Sequence, residues 1–484
     1  NCNVDVISSI SELTIPLIES KVHPRIRVAI YHFIKNATKF THNAKDIAQI
    51  IDATIQYALN EDFLIAKQCA FKAIASYFKN LIVIRNSDFA YEKFFIPYFS
   101  HFLNELNTQP PEINKYIVQC IGSMAKAAKD NFRESVLQTS KIFANLIQHS
   151  ESLSFSAEII SSYATCLHYF NLKRMPEQGR TILTRFCCYF LSIALQIYGN
   201  DSINEDETQD LTNAICSFLK KVKGTALPLV SRYLPNILEV AQRDITVEQA
   251  QAFEGVFGLV SMYIQIPSLD SSIKQYVPRN DVIEVKQSLE ILCIIVKILK
   301  EEAQFISQVM EIAKHWICSD YFIEDLVLAS INVLYSIVKL DTSNVEFIDF
   351  FLQCFVVIMN KYPSFNILWQ IYTKVSCVLQ FAKTSNWDDV GLFENLLKGL
   401  PDLIYHAIQL KASTSEEMHA FNNYDSQSKK MAFLDQVLVF VNEIVDRCYS
   451  ISTDMTNQCI SSEVLPKIYE CLQNQDLLPF AASF

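Results

Sequence analysis

The chain has 484 residues with 41 basic and 52 acidic side chains, a formal net charge of −11 at pH 7, and this excludes a general attraction to nucleic-acid phosphates. Hydrophobic residues make up 50%, far more than a disordered chain carries. Glycine (8) and proline (14) together fall well under half of the roughly 58 that average usage gives, and so few turn residues disfavour sandwiches, barrels and doubly wound folds, leaving an all-α chain.

The first residues, Asn1 to Asp5, include neither an initiator methionine nor a basic segment ahead of an apolar one, so the chain is expected to begin inside a longer protein. Val22-His23-Pro24-Arg25-Ile26-Arg27-Val28-Ala29 predicts a helix opened by Pro24, with Ile26, Ala29, Ile30 and Phe33 as its apolar stripe. Asn60 to Ala70 predicts another. Its first turn is polar, and the small residues Ala66, Cys69, Ala70 and Ala73 then let neighbouring helices approach closely. Pro97, Pro228 and Pro235 fall within apolar runs, where they either occupy first helical turns or bend the helices. Polar breaks near 199–210, 267–278 and 411–430 read as insertions, not as flexible tethers. The longest runs without a formal charge, Phe186–Asn200 and Gly255–Leu269, have 15 residues. A bilayer needs ~20, so no membrane span is expected.

Helices of ~15–20 residues come in pairs throughout. The middles of every second helix fall at Val28, Ala70, Cys120, Ile160, Ile215, Gly255, Glu290, Ser330, Thr373 and Val437. Most are about 40 residues apart, the period of HEAT or armadillo units. The expected architecture is an α-α superhelix, a HEAT-repeat solenoid of about ten helical pairs. It is expected to run through residues 1–484 as one continuous domain, because each repeat buries its apolar face against its neighbours.

Motifs that carry chemistry are missing from the sequence. There is no Gly-x-x-x-x-Gly-Lys-Ser/Thr loop, no Gly-x-Gly-x-x-Gly, no Gly-x-Ser-x-Gly and no His-Glu-x-x-His, so no catalytic residue, cofactor or metal is assigned and no enzyme is expected. His315 and Cys318 share a helical face, yet no second ligand pair lies nearby. The 14 cysteines show no paired spacing and read as reduced core residues, the vicinal Cys187-Cys188 among them. Lys67, Lys72 and Lys79, like Lys220, Lys221 and Lys223, read as solvated helix faces. Glu324-Asp325 reads as a helix start complementing the macrodipole. The acids between Asp201 and Asp210, among them Glu205, Asp206 and Glu207, have no evident folding role and form a candidate surface for Lys/Arg-rich partners.

The block from Lys21 to Phe40 resembles a HEAT repeat from the middle of the importin-β (karyopherin-β) superfamily, most of all its large importins that carry histones and ribosomal proteins. In that family such a block is followed by an Ala-rich helix, matched by Ala66 to Phe78, and by a Phe-Ile-Pro-Tyr element, matched by Phe95-Ile96-Pro97-Tyr98. A helix like Tyr116 to Ala125 comes next, ending near Asp130-Asn131-Phe132. The clear resemblance covers roughly the first 150 residues.

The resemblance implies a nuclear transport receptor shuttling between cytoplasm and nucleus, which would wrap basic protein cargo on a concave face, bind Phe-Gly nucleoporins and exchange cargo against Ran-GTP. The family's Ran-binding repeats precede the part matched here, so Ran-GTP binding would rest on repeats outside this chain. In the family the second helix of each repeat is concave. By that rule Glu112, Asn114, Glu158, Glu254, Glu324, Asp325 and Trp369 fall on the cargo side. A HEAT scaffold without transport activity, such as a phosphatase regulatory subunit or vesicle-coat adaptor, stays open as the alternative.

Overall fold

The computed structural model describes residues 14–18, 23–38, 48–83, 91–106, 108–198, 203–243, 281–319, 323–361, 365–384 and 453–473, with a few isolated positions besides. Among the described residues there are helices and turns and no strand. In chain order the helices are α1 (Pro24–Ala37), α2 (Ala48–Leu59), α3 (Leu64–Val83), α4 (Ile96–Glu105), α5 (Pro111–Ala128), α6 (Val136–Gln148), α7 (Leu153–Cys166), α8 (Glu177–Ile197) and α9 (Glu205–Val222). There follow α10 (Leu227–Ala241), α11 (Asp281–Ile298), α12 (Ala303–Cys318), α13 (Glu324–Val338), α14 (Val345–Lys361), α15 (Phe365–Thr384), α16 (Thr453–Cys459) and α17 (Leu465–Gln473). The chain forms two compact units, residues 1–233 and 234–484, whose boundary falls within α10.

In the first unit the odd-numbered helices α1, α3, α5, α7 and α9 pack side by side in sequence order, and α2, α4, α6 and α8 form a second layer against them. The second unit repeats the scheme, with α11, α13 and α15 in one layer and α12 and α14 in the other. The expected second-helix centres Val28, Ala70, Cys120, Ile160, Ile215, Glu290, Ser330 and Thr373 all lie in odd-numbered helices. Gly255 and Val437 lie outside the described residues.

Aromatic rings fill the space between the layers of the first unit. Tyr77, Phe78 and Phe94 meet edge to face, with centroids 5.4–5.6 Å apart. Phe132 bridges Phe99 and Phe170, and Tyr163 stacks on Phe190. Each such ring contributes about 1.5–3 kcal/mol by leaving water. Small residues do the opposite job between odd helices. A Cβ on Gly122 of α5 would sit 2.8 Å from the Ser162 carbonyl oxygen of α7, so only glycine permits this approach.

Two expectations about local structure need correction. The stripe Ile26, Ala29, Ile30 and Phe33 is not the buried face of α1: Ile26 and Phe33 are 48% and 46% exposed, and Tyr31, Ile34 and Thr38 are buried. Apolar residues occupy two faces of this helix, so periodicity does not choose between them. The choice falls to Arg27, on the same face as Tyr31, which pairs with Glu61 at 2.8 Å. The acids Glu205, Asp206 and Glu207 are likewise no loop insertion, because they form the first turn of α9. Asn204 caps that helix: its Oδ1 accepts from Glu207 N (2.9 Å), and Glu207 Oε2 accepts from Asn204 N (3.4 Å). The breaks 267–278 and 411–430 lie outside the described residues.

The prolines fall on both sides of the alternative. Pro24, Pro97 and Pro111 sit in first turns, where a missing N–H costs little, and Pro235 lies inside α10. The described cysteines are thiols and not disulfides. Burial pushes the Cys187 thiol up to about 12. Its neighbour Cys188 is only half-buried, so the vicinal pair is not wholly a core feature.

Candidate functional site

The odd-numbered layer of the first unit carries charge of opposite sign at its two edges. Helices α5, α7 and α9 run in register, as the contacts Gln119–Glu158, Lys115–Glu207 and Gly122–Ser162 show. Their first turns therefore share one edge, and their last turns share the other. The macrodipole favours acids at the first and bases at the second.

At the acidic edge, Glu112 is exposed in the first turn of α5. Asn114, two residues on, is buried, and its Nδ2 donates to the carbonyls of Leu106 (3.3 Å) and Gln109 (2.8 Å), closing the turn between α4 and α5. Its amide nitrogen is spent on the fold, and its Oδ1 is buried without a hydrogen-bond partner. Glu207 Oε1 accepts from Ser154 Oγ at 2.5 Å and from Lys115 Nζ at 3.0 Å. Burial raises the Glu207 carboxyl, but these hydrogen bonds and the Lys115 charge outweigh it and hold the carboxyl below its ordinary value. Burial likewise lowers Lys115, and Glu207 more than restores it, so its ammonium is held above the usual range. Glu207 thus has the folding role that its sequence context did not disclose. Asp206 is exposed beside it, and the side chain of Glu205 is outside what the structure describes.

Glu158 sits farther along α7, accepting from Gln119 Nε2 (2.8 Å) and Ser162 Oγ (3.3 Å). Burial pushes its carboxyl above the ordinary value, against the pull of Gln119, Lys115 and Lys79. Asp210, one turn into α9, is raised by burial as well, with Asp206 and Glu207 adding to the effect and Lys79 opposing it. Glu158 and Asp210 both line an open cavity of about 690 Å³ across α3, α5, α7 and α9. The lysines Lys79, Lys126, Lys220 and Lys221 line it too. Of the lysines expected on solvated faces, Lys79, Lys220 and Lys223 are exposed, whereas Lys67 is 8% exposed and Lys72 and Lys221 are half-buried, Lys72 lying 5.8 Å from the Tyr116 ring centroid.

In the second unit Glu324 and Asp325 open α13, half-buried, and Asp325 accepts from Lys286 Nζ of α11 at 2.7 Å. Arg243 bridges Asp281 (3.0 Å) and Glu284 (2.8 Å). Trp369 lies in α15, but its side chain is outside what the structure describes, as is Glu254 altogether. Among the described residues no group of three His, Cys, Asp or Glu side chains is placed to hold a metal, and no helix is long and apolar enough to cross a membrane.

The sequence reading found the acids and missed their partners Lys115, Gln119, Ser154 and Lys286. A usable signal was the repeat itself. Gln119 and Glu158 are 39 residues apart, and so are Lys286 and Asp325, so stepping back one period from an acid lands on its partner.

No protein-family profile matches this sequence, and no characterised protein matches it by sequence alone. Solved structures do. The karyopherin Kap121p aligns with 99% of the chain at a TM-score of 0.66 and 16% identity. Its complex with the SUMO protease Ulp1p aligns at 0.62 and 14%, and its complex with Nup53p at 0.63 and 15%, each again over 99% of the chain. The chain has the karyopherin HEAT-repeat fold. It spans 44% of the length of these karyopherin chains, less than half. All the candidate residues placed here lie on the odd layer.

Proposed function

We propose that this chain is the cargo-gripping part of a nuclear transport receptor, holding Lys/Arg-rich protein segments along the acidic edge of its odd-numbered layer. The observation that carries this reading is the gathering of Glu112, Glu158, Asp206 and Asp210 on one layer of a karyopherin fold. Kap121p, which shares that fold, was solved bound to the SUMO protease Ulp1p and to Nup53p, and this supports protein cargo and nucleoporins as the partner classes here. Glu158 and Asp210 form no ion pair among the described residues, so a lysine or arginine side chain entering the cavity supplies the charge partner they lack.

In this reading the repeats act as one continuous solenoid whose curvature adjusts through small changes at each interface. Phe-Gly nucleoporins bind elsewhere on the receptor, it shuttles between cytoplasm and nucleus, and Ran-GTP releases cargo through repeats that this chain does not supply. Histones and ribosomal proteins are the first basic cargoes to try. The test is capture at low salt: the chain should retain basic proteins and Phe-Gly peptides, with the basic proteins lost as salt rises. Retention of neither, with a phosphatase or coat complex co-purifying instead, would replace transport by scaffolding.

A further inference from the structure

The cavity across α3, α5, α7 and α9 has a second end that basic cargo does not explain. Lys126, Lys220, Lys221 and His168 converge there, from the last turns of α5 and α9 and from the residue two beyond α7. The macrodipole accounts for bases at helix ends, but not for their crowding. Elsewhere on the odd layers, Arg27 has Glu61, Lys115 has Glu207 and Lys286 has Asp325, whereas the buried Lys67 forms no ion pair among the described residues. Lys126 and Lys220 have no carboxylate within ion-pair distance among the described residues, and Lys221 donates only to the Phe170 carbonyl (3.0 Å). Burial holds the Lys126 and Lys221 ammoniums below their ordinary range. His168 is lowered too, by burial first and then by Lys126, Lys221 and Lys220. Ser161 brings to the same wall a buried hydroxyl with no hydrogen-bond partner. Like charges crowded on one wall without counter-ions stabilise nothing by themselves, and an anion placed among them relieves all of them at once.

We propose that this end of the cavity binds an anionic side chain, a phosphoserine or a glutamate, carried by the same protein segment whose lysine or arginine lies at Glu158 and Asp210. The inference rests on the cargo reading given above and adds a specificity to it. Ten positions separate Glu158 from His168 on α7, and ten separate Asp210 from Lys220 on α9. At 1.5 Å per residue each span is about 15 Å. An extended segment covers that distance in about four or five residues. The preferred ligand therefore carries a basic residue and an anionic one about four or five positions apart, and a uniformly basic segment fills only half of the site.

The test uses the whole chain and three fluorescently labelled peptides that share one lysine and differ five positions away, where they carry serine, phosphoserine or glutamate. Anisotropy titrations should show the phosphoserine peptide binding about tenfold or more tightly than the serine peptide, with glutamate between them. Lys126→Gln and Lys220→Gln should remove that increment, and Lys223→Gln, on an exposed lysine outside the cavity, should keep it. Glu158→Gln should weaken all three peptides alike. Equal affinity for the serine and phosphoserine peptides, or an increment that survives Lys126→Gln with Lys220→Gln, overturns the inference. If the serine peptide still binds and still responds to Glu158→Gln in that case, the cargo reading stands without it.

Discussion

Reversing one charge in the first turn of α9 should cost far more than reversing another in the first turn of α5. Glu207 closes the capping box with Asn204, accepts from Ser154 and pairs with Lys115, its side chain 11% exposed against 33% for Lys115. Glu207→Lys loses its half of the cap, worth about 0.5 kcal/mol of the usual capping range. It also breaks an ion pair midway between exposed pairs at about 0–1 kcal/mol and buried ones at about 3–5, so about 2 kcal/mol is lost there. Placing a second ammonium beside Lys115 brings the total to about 3 kcal/mol, a large share of the ~5–15 that holds a domain. Glu112→Lys, on an exposed side chain, loses only a macrodipole interaction of about 0.3–1 kcal/mol. Urea unfolding followed by circular dichroism should show a clearly lower midpoint for Glu207→Lys than for Glu112→Lys at similar slope. Equal midpoints would refute the assignment of Glu207 to the fold and return it to the partner surface. The acid limb gives a second reading. A carboxyl held below its ordinary 4.5 stabilises above that pH and loses the contribution as pH falls through its lower folded value, so Glu207→Gln should flatten the stability profile below about pH 4.5.

Glu158 should behave in the opposite sense. Its carboxyl is raised above 4.5, so the folded state is penalised as pH climbs through that window, and Glu158→Gln should hold or raise stability at pH 7 while weakening basic-peptide binding; a loss of stability at pH 7 would contradict this. Gly122→Ala should destabilise by about 1–2 kcal/mol, since overpacking against the Ser162 carbonyl exceeds the helix propensity gained. Gly179→Ala, which meets only the movable Met175 methyl at 3.0 Å, should be neutral or stabilising by up to about 1 kcal/mol, and a thermal scan of the two variants checks the contrast. Trp316→Phe should cost about 1–3 kcal/mol, because Trp316 Nε1 donates at 2.8 Å to the Ala241 carbonyl at the end of α10 and would leave it buried and unpaired; unchanged unfolding midpoints would show that bond to be idle.

The layered pattern was legible in the sequence because it rests on apolar periodicity, which is local and repeats about every 40 residues. Eight of the ten expected helix centres fall in odd-numbered helices for that reason. What periodicity leaves open is the choice of face where apolar residues cover more than one, as on α1, where Arg27 and Glu61 decide. The acids of the candidate site were legible as residues but not as roles. Asn204 with Glu207 three positions later is a capping-box pattern, but an acid-rich stretch ahead of a helix reads just as readily as a charged loop. Lys115 pairs with Glu207 across 92 residues, from α5 past α7 to α9, and no local pattern discloses a contact at that range. The cavity escaped the sequence altogether, since its walls come from four helices spread between Lys79 and Lys221.

Amide hydrogen exchange of the whole chain with and without a lysine-rich peptide tests most directly whether the acidic edge of the odd-numbered layer is where basic partners are held. The peptide should slow exchange in the first turns of α5, α7 and α9, the turns that carry Glu112, Ser154 and Asp206, and leave α4, α6 and α8 unchanged. Slowing confined to α4, α6 and α8, or none at a peptide concentration that saturates binding, would contradict it.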